Sequence, residues 1–542
     1  MHFNLFFALG VAMIFAACSQ SVSPPSDDEE TSTVSSSSKK GKSSSSKENE
    51  KHSSSSADKQ TNSSSSEKVD SDKSSSSSVD ELDDDCVGDT GEPWDGTTAK
   101  DFACGAGTKL SPYVILTAEQ LAHLSFVVNA GDKDYSGKYF KLGADIKLNK
   151  GDVIDEKGAL VGDSTKLHKW TPIGNSSVSF DGNFDGAGHT ISGMFINTTS
   201  THNGLFGNNQ GYISNFVLKD SWVNGGKNTA GVAGNSGGSI IAVQNYASVT
   251  GTENIGGIAG QSNGPYPKNA SIRTCDNYGI IKGKTFVAGI VGITYQSTLD
   301  SCENYGLVEG VSNVGGIAGR GGYTYVSTYL FECENVVNHA SIIGTGDNIG
   351  GIIGVAGYAS SSISGNQTIT TLKFAKNMAS VSGGNYVGGV IGLANRADVQ
   401  ILANEGNVDG QKYVSGVVGK FIASSSQSLY NVGDVSGTIY IGGIIGDNEE
   451  GVTSSAYSTG KVDGDSLVGL MIGYNYNTTM ADYYYLKQGD QEPFGLNNGG
   501  GVATPKSADE MKSEDFAELL GEAFTYDSGL NGGFPVLVWE NE

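Results

Sequence analysis

The sequence is short of positive charge, proline and histidine, and each shortage excludes a class of protein. Its 34 lysines and arginines face 59 aspartates and glutamates, for a formal net charge of −25, whereas nucleic-acid binding needs clustered basic side chains. The 10 prolines are too few for a proline-rich disordered chain, and the 78 glycines follow no three-residue period, which excludes collagen. The sequence also contains no His-Glu-x-x-His, the zinc-peptidase motif.

A glycine motif recurs instead: Asn or Tyr, an aliphatic residue, Gly-Gly, another aliphatic residue, any residue, and a final Gly. Clear and looser copies end at Gly207, Gly234, Gly260, Gly292, Gly319, Gly354, Gly392, Gly419, Gly446 and Gly473. The commonest interval is 27 residues, a period typical of solenoids in which each coil buries its apolar face on the next. We predict an all-β, right-handed parallel β-helix of about ten coils with a cap at each end.

A second marker is an asparagine that recurs at Asn245, Asn277, Asn304, Asn338, Asn377, Asn404 and Asn431. From each asparagine to the next final glycine the distance is 15 residues, or 16 in one case, whereas the remaining arc varies. We expect the asparagines to stack into an amide ladder. The glycines should form corners that other residues cannot take. The insertions at 261–274, 320–333 and 355–374 should project from one side.

The beginning of the chain predicts export. Residues 1–17 form an apolar stretch of signal-peptide length, too short to span a bilayer comfortably. The stretch ends at Cys18 and resembles the lipobox of bacterial lipoproteins, in which the cysteine is fatty-acylated, as by palmitate. An ordinary signal peptide with an incidental cysteine is the alternative. The Ser-rich residues 18–85 hold almost no apolar side chains and predict a disordered tether.

The lipobox resemblance implies a lipid-anchored protein of the outer membrane, exposed at the cell surface. We expect a monomer that contacts the membrane through its lipid and does not bind nucleic acid. The folded part should divide into an N-terminal cap with the first coils (86–207), the repeats (208–480) and a C-terminal cap (481–542).

Several local features are expected in the caps. In an exported protein, Cys86 and Cys104 most simply form a disulfide. Capping boxes predict helices over 117–129 and 507–520, and residues 534–539 should form a last strand. We expect the C-terminal cap to shield the open sheet edges from pairing with other chains.

Before the repeats, the chain resembles the start of the GLUG-repeat family of bacterial surface and secreted proteins. The ordered motifs that carry this resemblance are Thr117–Leu121, Lys138–Leu142, Ala144–Ile146, Trp170–Gly174, Phe184–Gly193 and Asn203–Gly207. The resemblance covers about residues 105–540 and implies a pectate-lyase-like parallel β-helix, with His189 in a structural role. It says little about function.

Candidates for chemistry are few. Asp181 and Asp185 flank a glycine turn; paired carboxylates suit glycoside cleavage or Ca²⁺, but turn formation is the commoner role. His168, His189 and His202 are candidates to approach one another as a metal site, which we do not favour. We therefore predict no catalytic residues, no metal and no cofactor.

The remaining cysteines lie within the repeats. Cys275 and Cys302 share a coil position, and both a disulfide and two buried thiols fit that spacing. Cys333 is out of register and should be an unpaired or buried thiol.

The insertions supply the candidate ligand-binding residues: Tyr266, Arg320, Tyr323, Tyr325, Tyr329 and Tyr358. Exposed rings and hydroxyls suit recognition of sugar or protein, although the same rings would also serve to cover the coil. The leading hypothesis is a non-catalytic surface lipoprotein that binds a polysaccharide or surface-protein partner. A polysaccharide-degrading β-helix enzyme and a purely structural envelope protein are the alternatives.

Overall fold

The computed structural model describes residues 86, 90–264, 270–322, 330–357 and 370–541. These all fall within the second of two units into which the chain divides, Val79–Glu542. The predicted signal peptide, the acylated Cys18 and the tether therefore lie outside the described residues. Within the described ranges, no helix combines the length and the apolar character needed to cross a bilayer.

The fold is a parallel β-helix in which each coil contributes strands to four parallel sheets. In one coil, Ser239–Asn245 lies in sheet 1, Ser248–Thr250 in sheet 2, Glu253–Gly256 in sheet 3 and Ala259–Ser262 in sheet 4. Each strand pairs in register with the equivalent strand one coil later, as Ile240 does with Ile272. This confirms the predicted fold class, and the predicted right-handed sense is the one that parallel crossover connections take.

The strands of sheet 1 are Tyr113–Ile115, Tyr139–Leu142, Ile146–Lys147, Asn183–Asp185, Thr190–Ser192, Tyr212–Lys219, Ser239–Asn245, Ala270–Arg273, Asp276–Asn277, Ser297–Asn304, Phe331–Asn338, Thr370–Asn377, Ala397–Asn404, Ser425–Asn431, Val452–Ser458, Thr479–Leu486 and Ala503–Lys506. Those of sheet 2 are Phe195–Asn197, Trp222–Asn224, Ser248–Thr250, Ile281–Lys282, Val308–Gly310, Ile342–Gly344, Val381–Ser382, Val408–Asp409, Val435–Ser436 and Val462–Asp463.

The strands of sheet 3 are Lys227–Ala230, Glu253–Gly256, Thr285–Ala288, Ser312–Gly315, Ile349–Gly350, Asn385–Gly388, Lys412–Ser415, Ile439–Gly442 and Ser466–Gly469. Those of sheet 4 are Phe206–Asn209, Ala233–Ser236, Ala259–Ser262, Val291–Thr294, Ala318–Gly321, Ile353–Ala356, Ile391–Asn395, Val418–Ile422, Ile445–Glu449, Ile472–Tyr476 and Phe494–Asn498. Outside the coils, the described residues also form an antiparallel pair, three α-helices and four 3₁₀ turns: Phe524–Thr525 with Val536–Leu537, Ala118–Asn129, Ala508–Met511, Glu514–Leu520, Lys133–Tyr135, Ser164–Lys166, Asn531–Gly533 and Val538–Asn541.

The glycine motif lies at the turn from sheet 3 to sheet 4, and its glycines serve differently from what we expected. The left-handed corner is taken by the first residue of the motif, such as Asn254 at φ 59° or Tyr440 at φ 64°. The glycines instead allow close contact between coils: a Cβ at Gly257 would lie 2.2 Å from the carbonyl oxygen of Gly289. The aliphatic residues between them point inward, and Ile255 and Ile258 are fully buried.

The predicted asparagine ladder is confirmed. All seven asparagines are fully buried, and the amides of the first six each donate to the Oδ1 of the next at 2.7–2.8 Å. The same amide nitrogen also donates to a carbonyl oxygen two residues ahead, as Asn404 does to Gly406. The ladder thereby satisfies polar groups at a buried corner, where an unpaired group would be costly.

The three cysteines of the repeats are buried free thiols. Cys275 and Cys302 lie beside each other on successive coils, next to the paired residues Asp276 and Glu303, and they are not bridged. Cys333 pairs with Leu299 and is out of register with them, as predicted. In the N-terminal part, Cys86 and Cys104 form a disulfide with Cα atoms 4.9 Å apart.

The N-terminal helix begins after the predicted capping box of Thr117 and Gln120. Its residues Leu121 and Leu124 are fully buried and belong to the apolar core that runs through the coils. Because this core already includes Phe140 and Trp170, the N-terminal cap and the coils form one continuous interior.

The C-terminal part differs from the predicted end cap. Residues Phe494–Asn498 and Ala503–Lys506 still pair in register with the preceding coil, so the stack continues to residue 506. The C-terminal segment (residues 507–541) then packs on the outer face of sheet 1. There, Ala403, Tyr430, Tyr457 and Tyr484 form an apolar column that Phe516 and Leu520 cover, among others. Burial of this column, rather than closure of sheet edges, explains where the segment lies.

Two details of this segment also differ from prediction. The helix predicted over 507–520 is broken at Lys512, because Ser513 caps a second helix by accepting from the backbone of Phe516 at 3.2 Å. The strand predicted over 534–539 is limited to Val536–Leu537 and is followed by a 3₁₀ turn.

Replacing Asn377 with alanine should weaken the stack from its middle. The change removes the acceptor of the Asn338 amide and the donor to Asn404 Oδ1 in a buried site. We expect a loss of about 2–3 kcal/mol, measured as a lower urea midpoint. Asn197→Ala is the control, because Asn197 also accepts from an asparagine one coil away, Asn224, but is exposed; it should cost less than about 0.5 kcal/mol. Equal losses would contradict the role of the buried ladder.

Replacing Glu540 with alanine should loosen the C-terminal segment. The buried Glu540 carboxylate accepts from Lys376 and from the Tyr430 hydroxyl at 3.0 Å. Lys376 keeps its 2.8 Å contact with Glu405, so we expect a loss of about 2–3 kcal/mol rather than the full cost of an unpaired buried charge. Limited proteolysis should cut the segment faster, whereas Glu518→Ala, on an exposed face of the same segment, should leave the rate unchanged.

Candidate functional site

Arg320 is the sequence-predicted ligand residue that the structure describes. It lies on the sheet 4 strand Ala318–Gly321, and its guanidinium carbon is 5.7 Å from the centroid of the Phe286 ring. The other candidates, Tyr266, Tyr323, Tyr325, Tyr329 and Tyr358, lie outside the described residues. The insertions that carry them all leave sheet 4 and rejoin sheet 1, after Gly264, Gly322 and Gly357, so they share one corner of the coil as predicted.

The paired aspartates considered for catalysis have structural partners. Asp181 accepts from the Ser136 hydroxyl at 2.5 Å. Asp185 accepts from the backbone of Ala187 at 2.8 Å, which supports a left-handed turn at Ala187 with φ 52°. These contacts match the turn-forming role that the sequence favours.

The three histidines considered as a metal site have separate partners. The ring of His168 packs against Trp94, with ring centroids 5.7 Å apart, and His189 lies 3.2 Å from Asp145. His202 bonds Thr201 at 2.9 Å. In the part of the chain that the structure describes, no group of three His, Cys, Asp or Glu side chains could hold a metal ion.

A row of stacked rings runs along the outer edge of sheet 1, one residue beyond the asparagine ladder. We call Tyr246, Tyr278, Tyr305 and His339 the tyrosine strip. Successive ring centroids are 4.4, 4.7 and 4.3 Å apart, with interplanar angles of 5°, 4° and 2°. Tyr246 and Tyr305 are about 40% exposed. Because each ring is held by its neighbours, the strip presents ring edges and hydroxyls with little freedom to lose on binding.

A carboxylate pair, Asp276 and Glu303, lies beside the strip. The two residues are Cα partners on adjacent coils of sheet 1. Glu303 Oε2 accepts from the Tyr305 hydroxyl and lies 2.9 Å from His339 Nε2. Asp276 Oδ2 accepts from the Gln244 amide at 3.3 Å. The two carboxylates are thus held in place by side chains of the coil before them and of the coil after them.

Electrostatics at this pair follow from burial and like charge. Burial raises the pKa of Asp276 above its ordinary value of 3.8, and the nearby Glu303 carboxylate raises it further. Burial also raises the pKa of Tyr305, helped by its hydrogen bond to Glu303, so this hydroxyl remains a donor at neutral pH. The site therefore combines hydroxyl donors with two adjacent acidic acceptors.

A groove of about 820 Å³ opens at the N-terminal end of the strip. A hairpin closed by the Ile154–Leu160 bridge forms its wall and rests on the coils at Gly158, where a Cβ would be 3.0 Å from Ser248 Oγ. We call this the hairpin groove. Its lining includes Asp152, Asp155, Glu156, Lys219, Asp220, Gln244, Tyr246 and Tyr278. Because Gln244 lines the groove and also bonds Asp276, the groove and the carboxylate pair form one continuous surface.

A second stacked row lies at the start of sheet 3 and offers a comparison within the same chain. Tyr386, Tyr413 and Tyr440 stack with centroids 4.8 and 4.7 Å apart. Lys420 lies 5.3 Å from the Tyr413 centroid and bonds Asp447 and Glu449 at 2.9 and 2.8 Å. Here the charges are paired with each other, so this row serves as a structural counterpart to the tyrosine strip.

Sequence reasoning missed the tyrosine strip although its signal was present. When the coils are aligned at their asparagines, the next residue is Tyr246, Tyr278, Tyr305 and His339 in four consecutive coils. In-register parallel pairing places equivalent residues in one column about 4.8 Å apart, the separation at which rings stack. The groove had no such signal, since its wall lies outside the repeats.

Together these features define a parallel β-helix protein with an aromatic and acidic lateral surface. No family model matches the chain. Over 125 residues it is 36% identical to a protein of Evansella cellulosilytica provisionally named a Gly-rich membrane protein, a match that covers 22% of this chain and 12% of that one. Over 163 residues it is 31% identical to halomucin of Haloquadratum walsbyi, covering 29% of this chain and 2% of halomucin. The chain thus matches only a small part of each relative.

Among solved structures, the chain is similar to a protein of Bacteroides ovatus provisionally described as an immunoglobulin A1 protease. That likeness covers 81% of this chain and 95% of the other, at 18% sequence identity and a TM-score of 0.30. So low a TM-score carries no argument about activity, and the assignment of the fold rests on the four parallel sheets described above.

Replacing Asp276 with asparagine should change the pH dependence of stability. Because the folded state binds the Asp276 proton more tightly than the unfolded chain, this residue lowers stability progressively as pH rises from 3.8 through its raised pKa. Asp276→Asn should therefore stabilise the protein at neutral pH, by about a few tenths of a kcal/mol because the group is only half-buried, and have no such effect at pH below 3.8. Urea midpoints at both pH values test this.

Asp300→Asn is the matched control for that measurement. Asp300 lies on the same face of sheet 1, but its in-register neighbours include Arg273 as well as Glu334. Its removal should not stabilise the protein at neutral pH. A loss of stability at neutral pH with Asp276→Asn would contradict the repulsion inferred between Asp276 and Glu303.

Proposed function

We propose that this chain is a non-catalytic surface protein that binds glycan along the side of its β-helix. The tyrosine strip carries this proposal: four rings stacked at 4.3–4.7 Å, partly exposed, beside a groove of about 820 Å³. Rings that expose edges and hydroxyls suit sugars, which offer both C–H surfaces and hydroxyl groups. The carboxylates of the groove are acceptors for sugar hydroxyls.

The insertions extend the proposed surface. Their described ends enter sheet 1 at Ala270, Phe331 and Thr370, on the same sheet whose far ends carry the strip. Residues Tyr266, Arg320, Tyr323, Tyr325, Tyr329 and Tyr358 remain candidate ligand residues of that corner. A glycan lying across sheet 1 would reach from the tyrosine strip to the candidate residues of the insertions.

The surface location is proposed from the chain's beginning and supported by the relatives. Cys18 would be acylated and residues 18–85 would serve as the tether, so that the β-helix would be a lipid-anchored monomer of the outer membrane. Similarity to segments of a protein named as a membrane protein and of a halomucin supports this location. Membership of the GLUG-repeat family, as the ordered motifs before the repeats imply, is part of the same proposal.

The double variant Tyr278→Ser, Tyr305→Ser should lose glycan binding. The test applies the full chain to an array of neutral and amino-sugar oligosaccharides and then measures affinity for the best binder. Each stacked ring contributes about 0.5–1.5 kcal/mol, so the double variant should lose about 1–3 kcal/mol and bind about 5- to 150-fold more weakly. Tyr413→Ser, in the second stacked row, is the matched control and should bind normally.

Other outcomes would redirect the assignment. An array and a pull-down that both detect nothing would favour a purely structural envelope protein. Release of reducing ends from a polysaccharide, abolished by Asp181→Ala or Asp185→Ala, would contradict the non-catalytic role. Binding that survives the double variant but is lost on deleting residues 320–333 and 355–374 would move the site to the insertions.

A further inference from the structure

Two rows of outward side chains on sheet 1 differ in charge balance. One row reads Arg273, Asp300, Glu334 and Lys373 on successive coils, so two acids lie between two bases. The pairing of each residue with its neighbour is in register, which keeps opposite charges adjacent at the row's ends. The two acids of this row are therefore neutralised by the two bases of the same row.

The neighbouring row is not balanced. It reads Gln244, Asp276, Glu303, Val337 and Lys376. Its lysine already bonds Glu405 and Glu540, and Val337 separates it from the carboxylate pair. Like charges directly opposite on adjacent strands repel, so this pair is a position where an added positive charge would be stabilised.

The pair also has oxygens to offer. The protein hydrogen bonds at this pair use Asp276 Oδ2 and Glu303 Oε2. Among the described residues, no hydrogen bond is seen to Asp276 Oδ1 or Glu303 Oε1. His339, the ionisable base in contact with the pair, reaches Glu303 and is already used in the stacked row. A ligand that brings its own donors can therefore bond both residues.

The surroundings favour an organic ammonium over a metal ion. In the described part of the chain, no third acidic, His or Cys side chain joins such a pair to form a metal site, and Ca²⁺ takes six to eight oxygen ligands. An ammonium group has three donors and needs fewer acceptors. Tyr278 and Tyr305 lie beside the pair and offer ring edges to the carbon skeleton that bears the amine. The groove at the end of the strip adds the carboxylates of Asp152 and Glu156.

We propose that the carboxylate pair binds the protonated amine of an amino-sugar polymer, a de-N-acetylated hexosamine chain whose rings lie along the tyrosine strip. This inference rests on the glycan binding proposed above and adds the chemical class of the glycan. The amine displaces no protein contact, since it bonds Asp276 Oδ1 and Glu303 Oε1. An N-acetylated chain lacks the charge and places an acetyl group where the ammonium would lie.

The test compares two probes on the full chain: the hexamer of glucosamine and the hexamer of N-acetylglucosamine. Titration calorimetry at mildly acidic pH should show at least about 10-fold tighter binding of the glucosamine hexamer, a preference that high salt reduces. Asp276→Asn and Glu303→Gln should each remove most of that preference and leave the affinity for the acetylated hexamer unchanged. Asp300→Asn, in the balanced row, should change neither affinity.

The outcomes separate this inference from the proposed function. Equal affinities for the two hexamers, unaffected by Asp276→Asn but lost with Tyr278→Ser and Tyr305→Ser, would overturn amine recognition and keep glycan binding. If neither hexamer bound while a lysine-rich peptide did, both proposals would fail and the surface would be one for basic protein segments. Unfolding midpoints of the variants that are no lower than that of the unsubstituted chain at the assay pH exclude loss of fold as the cause.

Discussion

The in-register pairing of each coil with the next is the constraint on which the rest of the structure depends. Parallel strands repeat at about 4.8 Å, so any residue placed once per coil becomes a column of like side chains. The side chains of each column must therefore be able to lie directly next to a side chain of the same kind. Amides do so by bonding one another, as the buried asparagines do at 2.7–2.8 Å. Rings do so by stacking, and aliphatic residues by packing inward. Charges do not, unless their sign alternates along the column.

This constraint accounts for the glycine motif as well. Where sheet 3 turns into sheet 4, the backbones of successive coils approach so closely that a Cβ at Gly257 would meet the carbonyl of Gly289 at 2.2 Å. The left-handed corner beside it is formed by Asn254 or Tyr440. The glycines therefore recur along the stack because a side chain would not fit between the coils, and not because the backbone there needs a conformation that only glycine adopts easily. The same column position carries asparagine in some coils and tyrosine in others, because asparagines there bond one another and tyrosines stack.

The features predictable from sequence were those that repeat. The period, the asparagine ladder and the shared corner of the insertions follow from spacing alone. The tyrosine strip is also predictable once the coils are aligned. However, the residue at this position is histidine at His339 and is no longer aromatic at Met378, so no simple sequence motif identifies the strip. The hairpin wall at 152–161 could not be predicted, because it lies outside the repeats and the register between coils does not fix its position. The position of the C-terminal segment was predicted wrongly. The register between coils brings Tyr430 and Tyr457 into one apolar column that the segment covers, and the prediction did not take this register into account.

The charge balance of the outward rows on sheet 1 also gives a reason to look for function at one place on this surface. A row that alternates or balances its charges, such as the one through Asp300 and Glu334, is what stability alone would select. The row through Asp276 and Glu303 has no lysine or arginine next to either carboxylate, and both acids lie partly buried beside ordered rings and a groove. A neutral residue at either position would remove the repulsion between the two carboxylates. The pair lies where the rings and the groove meet, and the proposed role in binding rests on this placement.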